Sequence, residues 1–270
     1  MRHLRIDGYD IAFVEQGSGP PVLLVHGSLS DLRHWAPQMP SFAAAGFRAI
    51  APSLRHFWPE HWDGSGGGFT IDRHVADLAG FIAALGTGPV HLVGHSRGGH
   101  IAFRIAERHP GLVRRLVLAE PAGVLDATLL PPGTQPASYA DLIGGAVELV
   151  RRGEVEAGLR SFAEYTGGPG AWERRTEERR QFARDNAMTL LGQLGEGRKP
   201  YERAAAESIR APTLLVGGAL TQPAFTRVLD ALEGAIPGAR RASIPDAGHS
   251  MSRDNPAAFD AAVLDFLRAT

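Results

Sequence analysis

The segment Gly94-His95-Ser96-Arg97-Gly98 follows the apolar run Pro89-Val90-His91-Leu92-Val93 and leads into the helix-like stretch Gly99 to Arg108. A serine with glycines two residues to either side, where a strand runs into a helix, is the setting of a nucleophile elbow. The spacing has a steric reason. The serine must stand clear of the chain on a very tight turn, and the glycines remove side chains that would collide as strand and helix close on each other. The helix N-terminus behind the turn offers oriented N–H groups and the positive end of a dipole. Without that context the pattern is a Gly-rich turn with an idle serine. With it, Ser96 is the candidate nucleophile.

The rest of the chain alternates in the same sense. A hairpin turning at Gly8 is expected from Leu4–Ile6 and Ile11–Glu15, followed by the continuous apolar strand Val22-Leu23-Leu24-Val25. A helix is expected from Trp35 to Ala45, a strand at Phe47–Ile50, a helix from Asp72 to Leu85, and a strand at Val113–Leu118. Between Gly123 and Arg210 no buried strand is visible. Helices are expected there at Asp141–Arg152, Glu154–Thr166 and Glu173–Leu194. Alternation resumes with Pro212–Val216, a helix near Ala224–Ala235, a strand at Arg240–Ile244 and a last helix capped by Asn255 with Pro256 behind it. The expected fold class is α/β: a doubly wound, mainly parallel sheet with a helical insertion after the sixth strand. Residues 1–122 and 211–270 form the core domain and 123–210 the insertion.

Composition narrows the function. The 270 residues suit one domain with an insertion, and 44% hydrophobic content supports a large core. The formal net charge of -1 leaves no basic field for nucleic acid. With no cysteine there is no disulfide, no thiolate metal site and no cysteine nucleophile. No apolar run approaches the ~20 residues of a membrane span, and the first residues, Met1 to Asp7, lack a signal-peptide core. A cytoplasmic protein, monomer or homodimer, is expected, without membrane association. Neither His26 nor His95 has a carboxylate or second histidine at ligand spacing, so no metal site is expected.

With these residues placed, the chain resembles an α/β-hydrolase over essentially its whole length. His26-Gly27-Ser28 stands where that family has its oxyanion loop, Gly94–Gly98 at its elbow, the helical insertion at its cap, and Asp246-Ala247-Gly248-His249-Ser250 where it keeps its catalytic histidine. The resemblance implies that His249 shuttles the serine proton. It also implies that the backbone N–H groups of Ser28 and Arg97 form the oxyanion hole. His26 is read as bracing its loop and His95 as a packing residue.

The acid departs from the family pattern. Its usual place, a few residues after the seventh strand, reads Gly217-Gly218-Ala219-Leu220-Thr221-Gln222-Pro223 and holds no carboxylate. The replacement candidate is Glu120, at the end of the sixth strand in Leu118-Ala119-Glu120-Pro121. An acid ending an apolar strand is costly unless a partner holds it. The arrangement resembles zearalenone-type lactonases and some haloalkane dehalogenases, members whose acid has moved to this strand end. Asp246 is the competing candidate, though its closeness to His249 in sequence makes the reach difficult. A loop-bracing Glu120 and a triad without an acid also remain open.

Ser96 stands where dehalogenases and epoxide hydrolases carry an aspartate, which argues against their alkyl–carboxylate intermediate. The expected activity is hydrolysis of a carboxylic ester or lactone with an apolar moiety, through a Ser-His-Glu triad and an acyl-enzyme, without metal or organic cofactor. A C–C hydrolase of a vinylogous diketone would use the same triad, and a slow-turnover ligand receptor would keep the same fold. Trp35, Trp58, Tyr165 and Trp172 are the candidate pocket residues. They lie after the oxyanion loop, after the fourth strand and in the insertion, segments that reach the carboxyl ends of parallel strands, where ligands bind.

Overall fold

A computed structural model describes residues Met1–Ala269. Strand β1 (Arg2–Ile6) and β2 (Tyr9–Gln16) form the expected hairpin, followed by β3 (Pro21–Val25). Helix α1 (Gln38–Ala44), β4 (Arg48–Pro52), α2 (Ile71–Ala84), β5 (Val90–His95), α3 (Arg97–Arg108) and β6 (Val113–Ala119) come next. Six helices then separate β6 from β7: α4 (Tyr139–Arg151), α5 (Val155–Gly167), α6 (Ala171–Arg174), α7 (Glu177–Asp185), α8 (Thr189–Gln193) and α9 (Arg203–Glu207). The chain closes with β7 (Thr213–Gly218), α10 (Pro223–Glu233), β8 (Arg240–Ile244), α11 (Met251–Asp254) and α12 (Pro256–Arg268).

The eight strands make one sheet in the order β1-β2-β4-β3-β5-β6-β7-β8. The pairs β1/β2 and β2/β4 are antiparallel and all others parallel. Alternation within each strand divides the core between the two faces. Leu23, Val25, Leu92, Leu116, Leu118 and Leu215 pack with apolar residues of α2, α3 and α10. Their neighbours Val22, Leu24, Val93, Val117 and Val216 pack with α1 and α12. Fully burying one such side chain is worth ~1.5–3 kcal/mol. A register slip would turn each row to the wrong face, so the apolar rows hold the register.

The insertion has its own apolar cluster, built from Ile143 and Val147 of α4, Leu159 and Phe162 of α5, Trp172, Ala183 and Leu190. Its two ends are tied together: Tyr201 N–H donates to Val124 O at 2.8 Å, and Asp126 N–H to Tyr201 O at 3.0 Å.

Two expected helices are interrupted. Instead of one helix from Trp35 to Ala45, a 3-10 turn at Leu32–Trp35, capped by the Asp31 side chain, precedes α1. Pro37 lies between them, where its missing N–H leaves no ladder bond to continue. The helix expected over Glu173–Leu194 breaks into pieces. Thr176 starts α7 by accepting from Arg179 N–H. At the other end, the Asn186 amide donates to Phe182 O and Asp31 Oδ2, both at 2.8 Å. Helix α3 begins at Arg97, directly after the serine, rather than at Gly99.

Candidate active site

Ser96 sits between the last residue of β5 and the first of α3, with φ 53° and ψ -116°. Such a positive φ is strained for a side-chain-bearing residue. Leu29, Glu120 and Asp246 share that property, with φ 54°, 40° and 54°. Each follows a different strand of the sheet, at or a few residues past its carboxyl end. The elbow glycines are where they must be. A Cβ on Gly94 would lie 2.3 Å from Gly98 O, and one on Gly98 would lie 2.3 Å from Val25 O.

Three side chains meet at this end of the sheet. His249 Nε2 lies 3.0 Å from Ser96 Oγ, and His249 Nδ1 lies 2.7 Å from Glu120 Oε2. Glu120 is fully buried and holds two further hydrogen bonds: Oε1 accepts from Gly218 N–H at 2.8 Å, and Oε2 from the Thr221 hydroxyl at 2.7 Å. Asp246 lies exposed, and the imidazole Nδ1 is paired with Glu120 instead. The Phe225 ring stacks on His249 with centroids 3.9 Å apart, which limits rotation of the imidazole.

The surrounding histidines are uncharged supports. His95 Nε2 donates to the backbone oxygen of His249 at 2.7 Å. Burial and the nearby His249 push its pKa down to about 3. His34 stacks on His95 with centroids 5.1 Å apart and bonds Ser252 Oγ at 2.9 Å. His26 receives Leu54 N–H on Nε2 at 3.0 Å and donates from Nδ1 to Gly27 O at 2.8 Å, fastening the loop that carries Ser28. Burial lowers its pKa to about 4.

Ser28 and Ser96 line one cleft. Arg97 is the first residue of α3, so its N–H is one of the amides a helix leaves without an internal partner. The Arg97 side chain is elsewhere: fully buried, it pairs with Glu196 of the insertion and donates from Nη2 to His74 Nδ1 at 3.0 Å. It therefore locks the elbow helix to the segment between β6 and β7 and is absent from the cleft wall.

The cleft above Ser96 is narrow, about 60 Å³, and adjoins a chamber of about 310 Å³ with which it shares Thr166, Arg175, Arg179, His249 and Ser250. Its apolar walls are Leu29, Phe162 and Phe182. The four tryptophan and tyrosine candidates lie outside it. Trp35 is fully buried in the core beneath the sheet, 6.1 Å from the Phe259 ring. Trp58 is covered by the Arg33 guanidinium, 3.8 Å from its ring centre. Trp172 is buried within the apolar cluster of the insertion. Tyr165 faces a separate cavity with Leu125, Leu142 and Phe225. The three tryptophans fill volume between elements, the usual use of large aromatic side chains.

Several contributors carried no recognisable sequence signal. Arg175, Phe225 and the Gly218 amide enter the site through tertiary packing alone. Thr221 was visible only as the residue standing where an acid was expected. Among the described residues, no group of three or more His, Cys, Asp or Glu side chains is placed to hold a metal ion. No helix among them is long and apolar enough to cross a membrane.

Residues 20–256 match the family model described as alpha/beta hydrolase fold. The chain is 31% identical over 266 residues to BpoC of Mycobacterium tuberculosis, which bears the provisional name of a non-heme bromoperoxidase; the match covers 95% of this chain and 97% of that one. Among solved structures it is similar to a hydrolase from Pseudomonas aeruginosa PA01, at 25% identity and a TM-score of 0.81, covering 99% of this chain and 98% of the other. It is also similar to a thermophilic esterase from Thermogutta terrifontis, at 26% identity and a TM-score of 0.79, covering 96% and 93%.

Proposed function

The chain belongs to the alpha/beta hydrolase family, and on that premise we propose that it is a serine hydrolase cleaving a carboxylic ester or lactone through Ser96, His249 and Glu120. The observation that carries this reading is the unbroken chain from Ser96 Oγ through both ring nitrogens of His249 to Glu120, with links of 3.0 and 2.7 Å. The esterase among its structural relatives agrees with it.

In this mechanism His249 Nε2 takes the Ser96 proton as Oγ attacks the carbonyl carbon. Glu120 holds the Nδ1–H tautomer and offsets the charge of the imidazolium. The Ser28 and Arg97 amides receive the oxyanion, and a single donor of this kind is worth ~10²–10³ in kcat. As the tetrahedral intermediate collapses, His249 returns its proton to the leaving alkoxide, leaving an acyl-Ser96. Water, deprotonated by the same imidazole, then releases the acid. Residues 123–210 act as the cap over this cleft, and Phe162 and Phe182 from that cap, with Leu29, take the apolar part of the substrate.

The test is stoichiometric labelling by a fluorophosphonate, together with turnover of p-nitrophenyl acetate. Labelling at Ser96 and many turnovers per molecule are expected, both abolished in Ser96→Ala. A single slow turnover with retained product would replace the enzyme by a ligand receptor on the same fold.

A further inference from the structure

Among the described residues, the cleft above Ser96 is lined by three arginines, Arg175, Arg179 and Arg253, and by no carboxylate. Two of the three are neutralised. Arg179 Nη1 pairs with Asp254 Oδ1 at 3.0 Å, and Arg253 Nη2 with Glu178 Oε2 at 2.8 Å. Arg175 has no carboxylate, carbonyl or hydroxyl partner for its guanidinium among the described residues. Its nearest aromatic face, Trp172, is 5.7 Å from Cζ. The surroundings do not favour the lone charge: burial and Arg179 lower the Arg175 pKa to about 10, and Asp254 offsets this only in part. The group is still a cation at neutral pH.

The adjoining chamber contains two acids, neither of which serves Arg175. Asp254 is engaged by Arg179 and by Gly248 N–H, which reaches its Oδ2 at 3.2 Å. Asp246 is exposed and forms no ion pair among the described residues. A half-buried guanidinium without acceptors among the described residues, in the wall of the cleft that holds the nucleophile, is a costly feature. It is also a preformed partner for a planar anion, which it meets with two parallel N–H bonds.

We propose that the substrate of this site is an ester or lactone bearing a carboxylate, and that Arg175 binds that carboxylate beside the scissile bond. One unpaired positive charge matches one carboxylate, whereas a phosphate dianion would leave a charge uncompensated. Arg175 borders both the narrow cleft and the wider chamber. The carboxylate therefore stands a few atoms from the carbonyl attacked by Ser96. This inference rests on the serine-hydrolase reading and adds the charge of its substrate.

The experiment compares 4-nitrophenyl hemiglutarate with the neutral 4-nitrophenyl pentanoate, a chain of the same length. Wild type should favour the anionic ester in kcat/KM by ~10-fold or more. Arg175→Gln should reduce that preference by ~10–100-fold, mainly through KM, as loss of a charged hydrogen-bonding partner predicts. Arg175→Lys should recover part of it. In wild type alone, glutarate should inhibit pentanoate hydrolysis competitively, while 1,5-pentanediol should not. A wild-type preference for the neutral ester, or an unchanged preference in Arg175→Gln, overturns the proposal, as does equal inhibition by the two small molecules. Failure of the hydrolase reading looks different: neither ester turns over and Ser96 resists the fluorophosphonate. In that case, calorimetry on Ser96→Ala still decides the anion site, which requires glutarate binding that is lost when Arg175→Gln is added.

Discussion

The Thr221 hydroxyl donates to Glu120 Oε2 at 2.7 Å, and that same oxygen lies 2.7 Å from His249 Nδ1. The residue standing where the family's acid is expected thus clamps an acid supplied by the next strand. Strands β6 and β7 are neighbours, with Ala119 opposite Val216, so their carboxyl ends deliver groups to nearly the same point. Gly218 N–H completes the clamp at 2.8 Å. An acid from either strand end can meet the same imidazole, and here the carboxylate in contact with it comes from the end of β6.

Glu120→Gln should lower kcat by ~10²–10⁴, because the amide can offer an N–H where the imidazole needs an acceptor and so favours the wrong tautomer. Adding Thr221→Asp to that variant should restore part of the loss, while Asp246→Asn alone should be mild. Steady-state kinetics on one ester checks all three. Wild-type turnover by Glu120→Gln alongside a crippled Asp246→Asn would reverse the assignment.

Ser96→Ala should cost at least ~10³ in kcat and little in substrate affinity, since the oxyanion amides and the cleft walls remain. Single-turnover kinetics and calorimetric binding separate the two. Near wild-type turnover in a folded variant is the result that defeats a serine nucleophile here.

Trp172→Ala should act on stability rather than selectivity. The ring is 3% exposed and packed inside the insertion, so its loss should cost ~3–5 kcal/mol wherever the cavity stays open. Phe182→Ala, in the cleft wall, should instead change the ranking of acyl chain lengths. Urea titration and an ester panel measure the two effects. A reordered panel in Trp172→Ala with an unchanged urea midpoint would put that ring in the substrate site.

Acid should destabilise the protein through its buried histidines. His100 has neither ring nitrogen hydrogen-bonded, and burial, with Arg198 and Arg104 nearby, holds its pKa well below 6.5. His26, His34, His74, His91 and His95 shift the same way, each chiefly through burial. Above pH 6.5 neither the folded nor the unfolded chain protonates these rings. Below it the unfolded chain takes up protons that the folded chain refuses, so stability is lost as the pH falls from about 6.5 towards the folded values. His100→Leu removes one such group. Its stability relative to wild type should be about 2 kcal/mol more favourable at pH 5 than at pH 8. Urea midpoints at the two pH values test this, and an equal difference at both would refute it.

The sequence by itself determined the layered sheet, the strand-to-helix turn at Ser96 and the helical insertion. Each is written locally. Apolar runs of strand length specify buried strands, and glycines two residues either side of a serine permit only a tight turn. Glu120 was legible as well, because an acid ending the apolar run Leu116-Val117-Leu118-Ala119 is costly without a partner. The long helices were overextended because Pro37, Thr176 and Asn186 act through single backbone and side-chain bonds that a periodicity average passes over. The cleft wall was beyond reach for a different reason. Trp35, Trp58, Tyr165 and Trp172 are all bulky and apolar, and such rings serve a core and a pocket equally well. Whether any of them faces Ser96 depends on how the insertion is set over the sheet. That setting comes from contacts distant in the chain, among them Arg97 with Glu196, Asn186 with Asp31, and Ser28 Oγ with Gln193 Oε1 at 2.7 Å. The same packing leaves Arg175 in the cleft wall without an acceptor, because an ion pair exists only when both partners have been brought together in space.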